Sequence, residues 1–239
     1  MMEARVQARV VAAGRGWQWL VEGFGLFRKS PAMWIALTVA LALLWVASLI
    51  IPVLGPLLFN LMSPVLFAGF KQQAAPLVTV GGVYLVGTVI VVGIVLVIAG
   101  GSMPPSVLPK PGTDIETLRA AVRSMALALA VGATVYLPLL MLIWFAPLLV
   151  VFNGLAPVAA MKLSFAACVR NTLPFVVYGA AILLLWLVLS LPAALGAIGG
   201  LLVVALLVAS IPVLICSIYT SYKDIFAAHA PASSTPIKS

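Results

Sequence analysis

Between Lys29 and Lys71 the chain carries no aspartate, glutamate, lysine, arginine or histidine. The same holds from Lys71 to Lys110, from Arg123 to Lys162 and from Arg170 to Lys223. Each interval exceeds the ~20 apolar residues that cross the hydrocarbon core of a bilayer. Charged residues make up only 8% of the chain and hydrophobic residues 64%, whereas a soluble domain carries about a quarter charged residues. A water-soluble core of this length has no room for so much apolar surface, so the solvent must be lipid. In lipid every backbone N–H and C=O must find a partner inside the protein, which restricts the intervals to helices. The expected class is an all-α integral membrane protein of about six transmembrane helices, with short interfacial amphipathic helices on the cytoplasmic side.

A recurrent punctuation divides the intervals. The run Met161 to Pro174 is mildly amphipathic, ends in Arg170, Asn171 and Thr172, and passes through Pro174 into an apolar span. Phe24 to Pro31 has the same grammar, with Arg28, Lys29 and Ser30 before Pro31, and Phe67 to Pro76 is a weaker copy around Lys71. Each marks a place where the chain leaves a wet surface for lipid. The expected organisation is a basic N-terminal segment with an interfacial helix over 1–32, a six-span bundle over 33–222, and a polar, disordered cytoplasmic tail over 223–239. The spans are placed near 33–53, 54–70, 76–99, 125–152, 173–191 and 201–222, the last two joined by a turn over 192–200. The second is short, carries Asn60, Ser63 and Pro64, and either crosses or re-enters. The proline-rich stretch near 100–116 is a loop, after which Thr113 and Glu116 have the spacing of a capping box.

Within the N-terminal segment, Trp17, Leu20, Val21, Phe24 and Phe27 recur at helical spacing, with Gln18, Glu22 and Lys29 opposite. Two arrangements fit this pattern: a helix lying in the membrane interface with tryptophan at headgroup depth, or a helix packing its apolar face on the bundle. More than thirty residues precede the span near 33–53, and that span is longer than a signal-peptide core, so no cleavable signal is expected.

Orientation follows from lysine and arginine. With six spans, ten of the 13 cations share one side: Arg5, Arg9, Arg15, Arg28, Lys29, Lys71, Lys162, Arg170, Lys223 and Lys238. Lys110, Arg119 and Arg123 take the other. The positive-inside rule then makes both termini cytoplasmic. The net charge of +8 is accounted for by this collar and does not call for nucleic acid. Arg28, Lys29, Lys71, Lys162 and Arg170 each stand at a span entrance, where they either only set topology or also hold anionic lipid headgroups, with Arg170 foremost in the second case, since its planar donors suit a phosphate beside the amide of Asn171.

The residue inventory argues against catalysis. Metal sites need clustered His, Cys, Asp or Glu, and a hydrolytic triad would depend on His229 in the tail. Proton relays and ion-coupled carriers hold ionisable groups at membrane depth, where the expected spans have none. No enzymatic activity, metal or cofactor is expected, and Asp114, Glu116, Asp224 and His229 are expected to be replaceable by alanine. Asp224 reads as a cap on the end of the last span. Cys168 and Cys216, one at a membrane edge and one inside a span, are not expected to pair.

Three pieces carry a resemblance: Gly16-Trp17-Gln18-Trp19 with Leu26 to Trp34, the segment Met161 to Asn171, and Ser221 to Phe226. Together they resemble an uncharacterised group of proteobacterial multi-pass inner-membrane proteins, the YciC-like group, across nearly the whole chain. The resemblance implies a longer polar linker between the second and third spans than the short link 71–75 seen here. It implies no activity. The leading expectation is a non-enzymatic membrane protein engaging the lipid bilayer, anionic phospholipids, a partner membrane protein or a second copy of itself. The alternative is a passive channel or carrier for a neutral or apolar solute, with Asn60, Ser63, Thr79, Thr134 and Tyr136 as polar pore or interhelix contacts.

Overall fold

The computed structural model describes residues 7–50, 55–57, 59, 61, 74–100 and 115–226. Among these, every regular element is a helix. The chain divides into two compact units, one made of 1–50 with 166–239 and the other of 51–165.

The first unit begins with an irregular strap, residues 7–14, that leads into α1 (Arg15–Phe27). A tight turn at 28–30 feeds α2 (Pro31–Ser48). Pro31 opens that helix, where its missing N–H costs nothing and its fixed φ already suits the helix. The unit continues from the end of α6 (Pro157–Arg170) into α7 (Thr172–Ser190) and α8 (Gly196–Phe226). Between the last two, a single 3-10 turn, Leu191–Leu195, ends at Gly196, whose φ of 73° lies in the left-handed region that a side chain disfavours. The stretch 192–200 read as a turn is therefore shorter than expected, and α8 already runs from Gly196. Helix α1 packs on both α7 and α8.

The second unit contains α3 (Ala74–Gly100) packed on α4 (Ile115–Ile143), then α5 (Ala146–Asn153) and the first part of α6. The Tyr84 and Tyr136 hydroxyls meet at 2.9 Å between α3 and α4. The run 125–152, read as one span, is interrupted between α4 and α5. Its cause is a side chain inserted into the helical ladder. Ser164 donates its hydroxyl to the Met141 carbonyl at 2.7 Å and accepts the Phe145 N–H at 3.0 Å. In a continuous helix those two backbone groups would bond each other. Pro147 follows in the first turn of α5, where it needs no N–H.

Four stretches are long and apolar enough to cross a membrane: Pro31–Ser48, Ala75–Ile98, Leu118–Asn153 and Thr172–Phe226. The last holds two helices, α7 and α8, of 19 and 31 residues. At 1.5 Å per residue each reaches roughly the ~30 Å of a hydrocarbon core or beyond. Their outer faces are apolar: Leu43, Val97, Leu183 and Leu201 are each more than 60% exposed. Water does not tolerate apolar surface on this scale. Of the expected second span, only five residues (55–57, 59 and 61) are described, so its crossing or re-entry lies outside the described residues.

Candidate functional site

The polar chemistry of the first unit converges on the last turn of α8, at Asp224. This carboxylate is buried, and three side chains donate to it. The Trp19 indole N–H reaches Oδ2 at 2.9 Å, the Arg15 Nε–H donates to the same oxygen, and an Arg9 Nη2–H donates to Oδ1. Arg9 also donates its Nε–H to the Asp224 carbonyl, and its backbone N–H to the Ile225 carbonyl at 3.0 Å. Arg15 is further held by Glu22 at 3.0 Å and by Gln18. Burial works against the Arg15 charge, but Asp224 and Glu22 favour it more, so its pKa is raised above the ordinary arginine value.

Helix α1 sits on this anchor through Trp19, which is fully buried. Its ring lies 5.5 Å from Phe175 and 5.9 Å from Tyr178, centroid to centroid. Thr220 donates to the Trp19 carbonyl at 3.0 Å, and the Tyr178 and Ser217 hydroxyls share a buried hydrogen bond of 2.6 Å. Two glycines on the same face of α1 allow this approach. A Cβ on Gly16 would lie 2.1 Å from the Pro174 carbonyl oxygen, and one on Gly23 would lie 2.7 Å from the Ser217 nitrogen.

Asn171 fastens the strap from the other side. Its Oδ1 accepts the Val11 N–H at 2.9 Å, and its Nδ2 donates to the Arg9 carbonyl at 3.0 Å and the Ala167 carbonyl at 2.9 Å. Asn171 is fully buried. An amide with both N–H donors engaged in this way is a structural tie. It is not available to a phosphate beside Arg170, which corrects that part of the headgroup expectation.

The three segments singled out in the sequence thus contribute Trp19, Asn171 and Asp224 to one node. Asp224 is the clearest departure from expectation. Where the sequence suggests a dispensable cap, the structure has a carboxylate that accepts from both the strap and α1. A signal was present, since Asp224 is the lone carboxylate between Glu116 and Ser239, but its partners lie more than 200 residues away.

Of the candidate headgroup residues, Arg28, Lys29 and Arg170 are exposed in the first unit and Lys162 is exposed in the second; Lys71 lies outside the described residues. Arg28 stands 5.9 Å over the Phe24 ring. Of the candidate pore residues, Asn60 and Ser63 lie outside the described residues. Thr79 and Thr134 return their hydroxyls to the Ala75 and Ala130 carbonyls of their own helices, at 3.2 and 2.8 Å, and Tyr136 bonds Tyr84.

The exposed side of α1 completes the geometry. Gly16, Trp19, Leu20 and Gly23 form its buried face. Trp17, Val21 and Phe24 form a second apolar stripe that is 54%, 52% and 49% exposed. Gln18, Glu22 and Gly25, all exposed, form a third, polar side.

No family model and no solved structure matches this chain. A probable inner membrane protein of Burkholderia thailandensis is 29% identical over 274 aligned residues, covering 93% of this chain and 95% of the relative. Likeness over that span to a probable inner membrane protein, with four apolar stretches here, supports an integral membrane protein. The aligned length exceeds the 239 residues here, so the relative carries residues that this chain lacks.

Proposed function

We propose that this is a non-enzymatic, six-span protein of the YciC-like kind, whose cytoplasmic surface engages the lipid headgroup layer through α1. The observation that carries the reading is the division of α1 into three faces. A helix that only packed on the bundle would bury its apolar residues on one side and present polar ones elsewhere. Here Trp17, Val21 and Phe24 face away from α7 and α8, beside a polar stripe. A helix with one face on protein, one apolar and one polar suits the boundary between acyl chains and water. Trp17 and Arg28 at its two ends are the residue types enriched at that depth.

The fastening of the strap to α8 supports an even number of crossings. Arg9 bonds Asp224 and Ile225, so the beginning of the chain and the end of α8 share one side. Counting one crossing each for α2, α3, the 118–153 stretch, α7 and α8, parity requires one more, and the segment near 54–70 is the candidate. Arg9, Arg15, Lys29 and Lys223 on this shared side favour the cytoplasm.

Site-directed spin labels test the lipid-facing role. In lipid nanodiscs, a nitroxide at Val21→Cys, with Cys168 and Cys216 replaced, is expected to be more accessible to oxygen than to a water-soluble nickel chelate. One at Gln18→Cys should show the reverse. Equal, water-like accessibility at both positions would refute the interfacial placement.

A further inference from the structure

A cleft of about 450 Å³ opens between the polar side of α1 and the last turns of α8, lined by Arg15, Glu22, Gly25, Leu26, Lys29, Thr220, Lys223 and Asp224. Its charges are unevenly matched. Arg9 and Arg15 pair with Asp224, and Arg15 also pairs with Glu22. Neither Lys29 nor Lys223 has a carboxylate partner among the described residues. Two lysines, one from the turn after α1 and one from the end of α8, therefore rim a cleft whose other charges are already neutralised. Gly25 leaves its wall open, because a Cβ there would have nothing within 4 Å.

We infer that this cleft binds the phosphate of one anionic phospholipid headgroup. The inference rests on the interfacial placement of α1 and adds a defined site to it. The surroundings favour a lipid over a soluble anion. Lys223 stands 5.8 Å over the Tyr219 ring, which stacks on Tyr222, and on the α1 side Phe24 stacks on Phe27 beneath Arg28. Phe24 is half exposed and Tyr219 more than a third. Cations over exposed aromatic rings on both sides are what the headgroup layer accommodates, with the rings toward the acyl chains. The two lysines hold the phosphate as point charges.

The test titrates the full-length, detergent-purified protein with short-chain phosphatidylglycerol or phosphatidylcholine and counts bound lipids by native mass spectrometry. One phosphatidylglycerol should bind in preference to phosphatidylcholine. The double variant Lys29→Gln, Lys223→Gln should weaken it about thirtyfold, as expected for the loss of two lysines near an anionic headgroup. Gly25→Leu, which keeps every charge and fills the cleft, should weaken it comparably. Glu22→Gln, which removes a carboxylate and releases one side of Arg15, should tighten it several-fold, an outcome that misfolding cannot imitate. Parent-like binding by Gly25→Leu would overturn the site, because charge alone would then suffice. So would equal binding of phosphatidylcholine, or displacement of the lipid by millimolar inorganic phosphate. Should those results coincide with an interfacial nitroxide at Val21, the cleft is wrong and the placement of α1 stands.

Discussion

Trp19 donates its indole N–H to the Asp224 carboxylate at 2.9 Å, joining residues 205 positions apart. Through this bond α1, an element outside the apolar stretches, is seated on the end of the last helix. Arg9 and Arg15 add the charge that makes burial of the carboxylate tolerable. A buried carboxylate held by three donors is costly to leave half-partnered.

Replacing Asp224 should therefore unseat the strap and α1 together. Asp224→Ala removes the carboxylate that accepts from the Trp19 indole N–H and from both guanidinium groups, leaving Arg9 the residue-224 carbonyl and Arg15 its contacts with Glu22 and Gln18, and the expected loss is about 3 kcal/mol. Trp19→Phe keeps most of the ring packing against Phe175 and Tyr178, and should cost about 1–2 kcal/mol. Thermal unfolding in detergent measures both, with the aspartate variant the less stable. Parent-like stability of Asp224→Ala would restore the dispensable cap inferred from sequence.

Asn171 ties down the strap but not α1 itself. Asn171→Ala should raise amide hydrogen exchange at Val11 well above the parent while the exchange of α1 changes little. The lost bonds are worth about 1–3 kcal/mol. Unchanged exchange at Val11 would mean that the Arg9 contacts alone hold the strap.

The glycines of α1 divide by face. Gly23→Ala places a Cβ 2.7 Å from the Ser217 backbone nitrogen. Backbone cannot yield as a side-chain tip does, so a loss of about 2 kcal/mol is expected. Gly25→Ala meets nothing within 4 Å and should stabilise by about 0.5–1 kcal/mol through helix propensity. Opposite shifts in unfolding temperature check the assignment of buried and open faces.

Much of the helical framework was legible in the sequence, because charge-free intervals and proline-marked entrances depend on local chemistry. Helix α2 begins at Pro31, while α7 begins at Thr172, two residues ahead of Pro174. Periodicity on α1 could mark Trp17, Leu20, Val21 and Phe24 as apolar, but it could not say which of them the bundle buries. The structure separates Leu20, which is buried, from Trp17, Val21 and Phe24, which are exposed. The interruption before α5 was hidden for another reason. Pro147 hinted at it, but the inserted hydroxyl comes from Ser164, on a different helix. The contacts of Asp224 are hidden from the sequence because its partners come from 205 to 215 positions away.

The topology proposed above puts the strap and the end of α8 on the cytoplasmic face after six crossings. Labelling by a membrane-impermeant thiol reagent tests it most directly, using single cysteines in a background with Cys168 and Cys216 replaced. On cells with a permeabilised outer membrane and an intact inner membrane, Pro105→Cys should react, while Gln73→Cys and Ser233→Cys should react only after the inner membrane is opened. Reaction of Gln73→Cys or Ser233→Cys with the inner membrane intact would contradict the account.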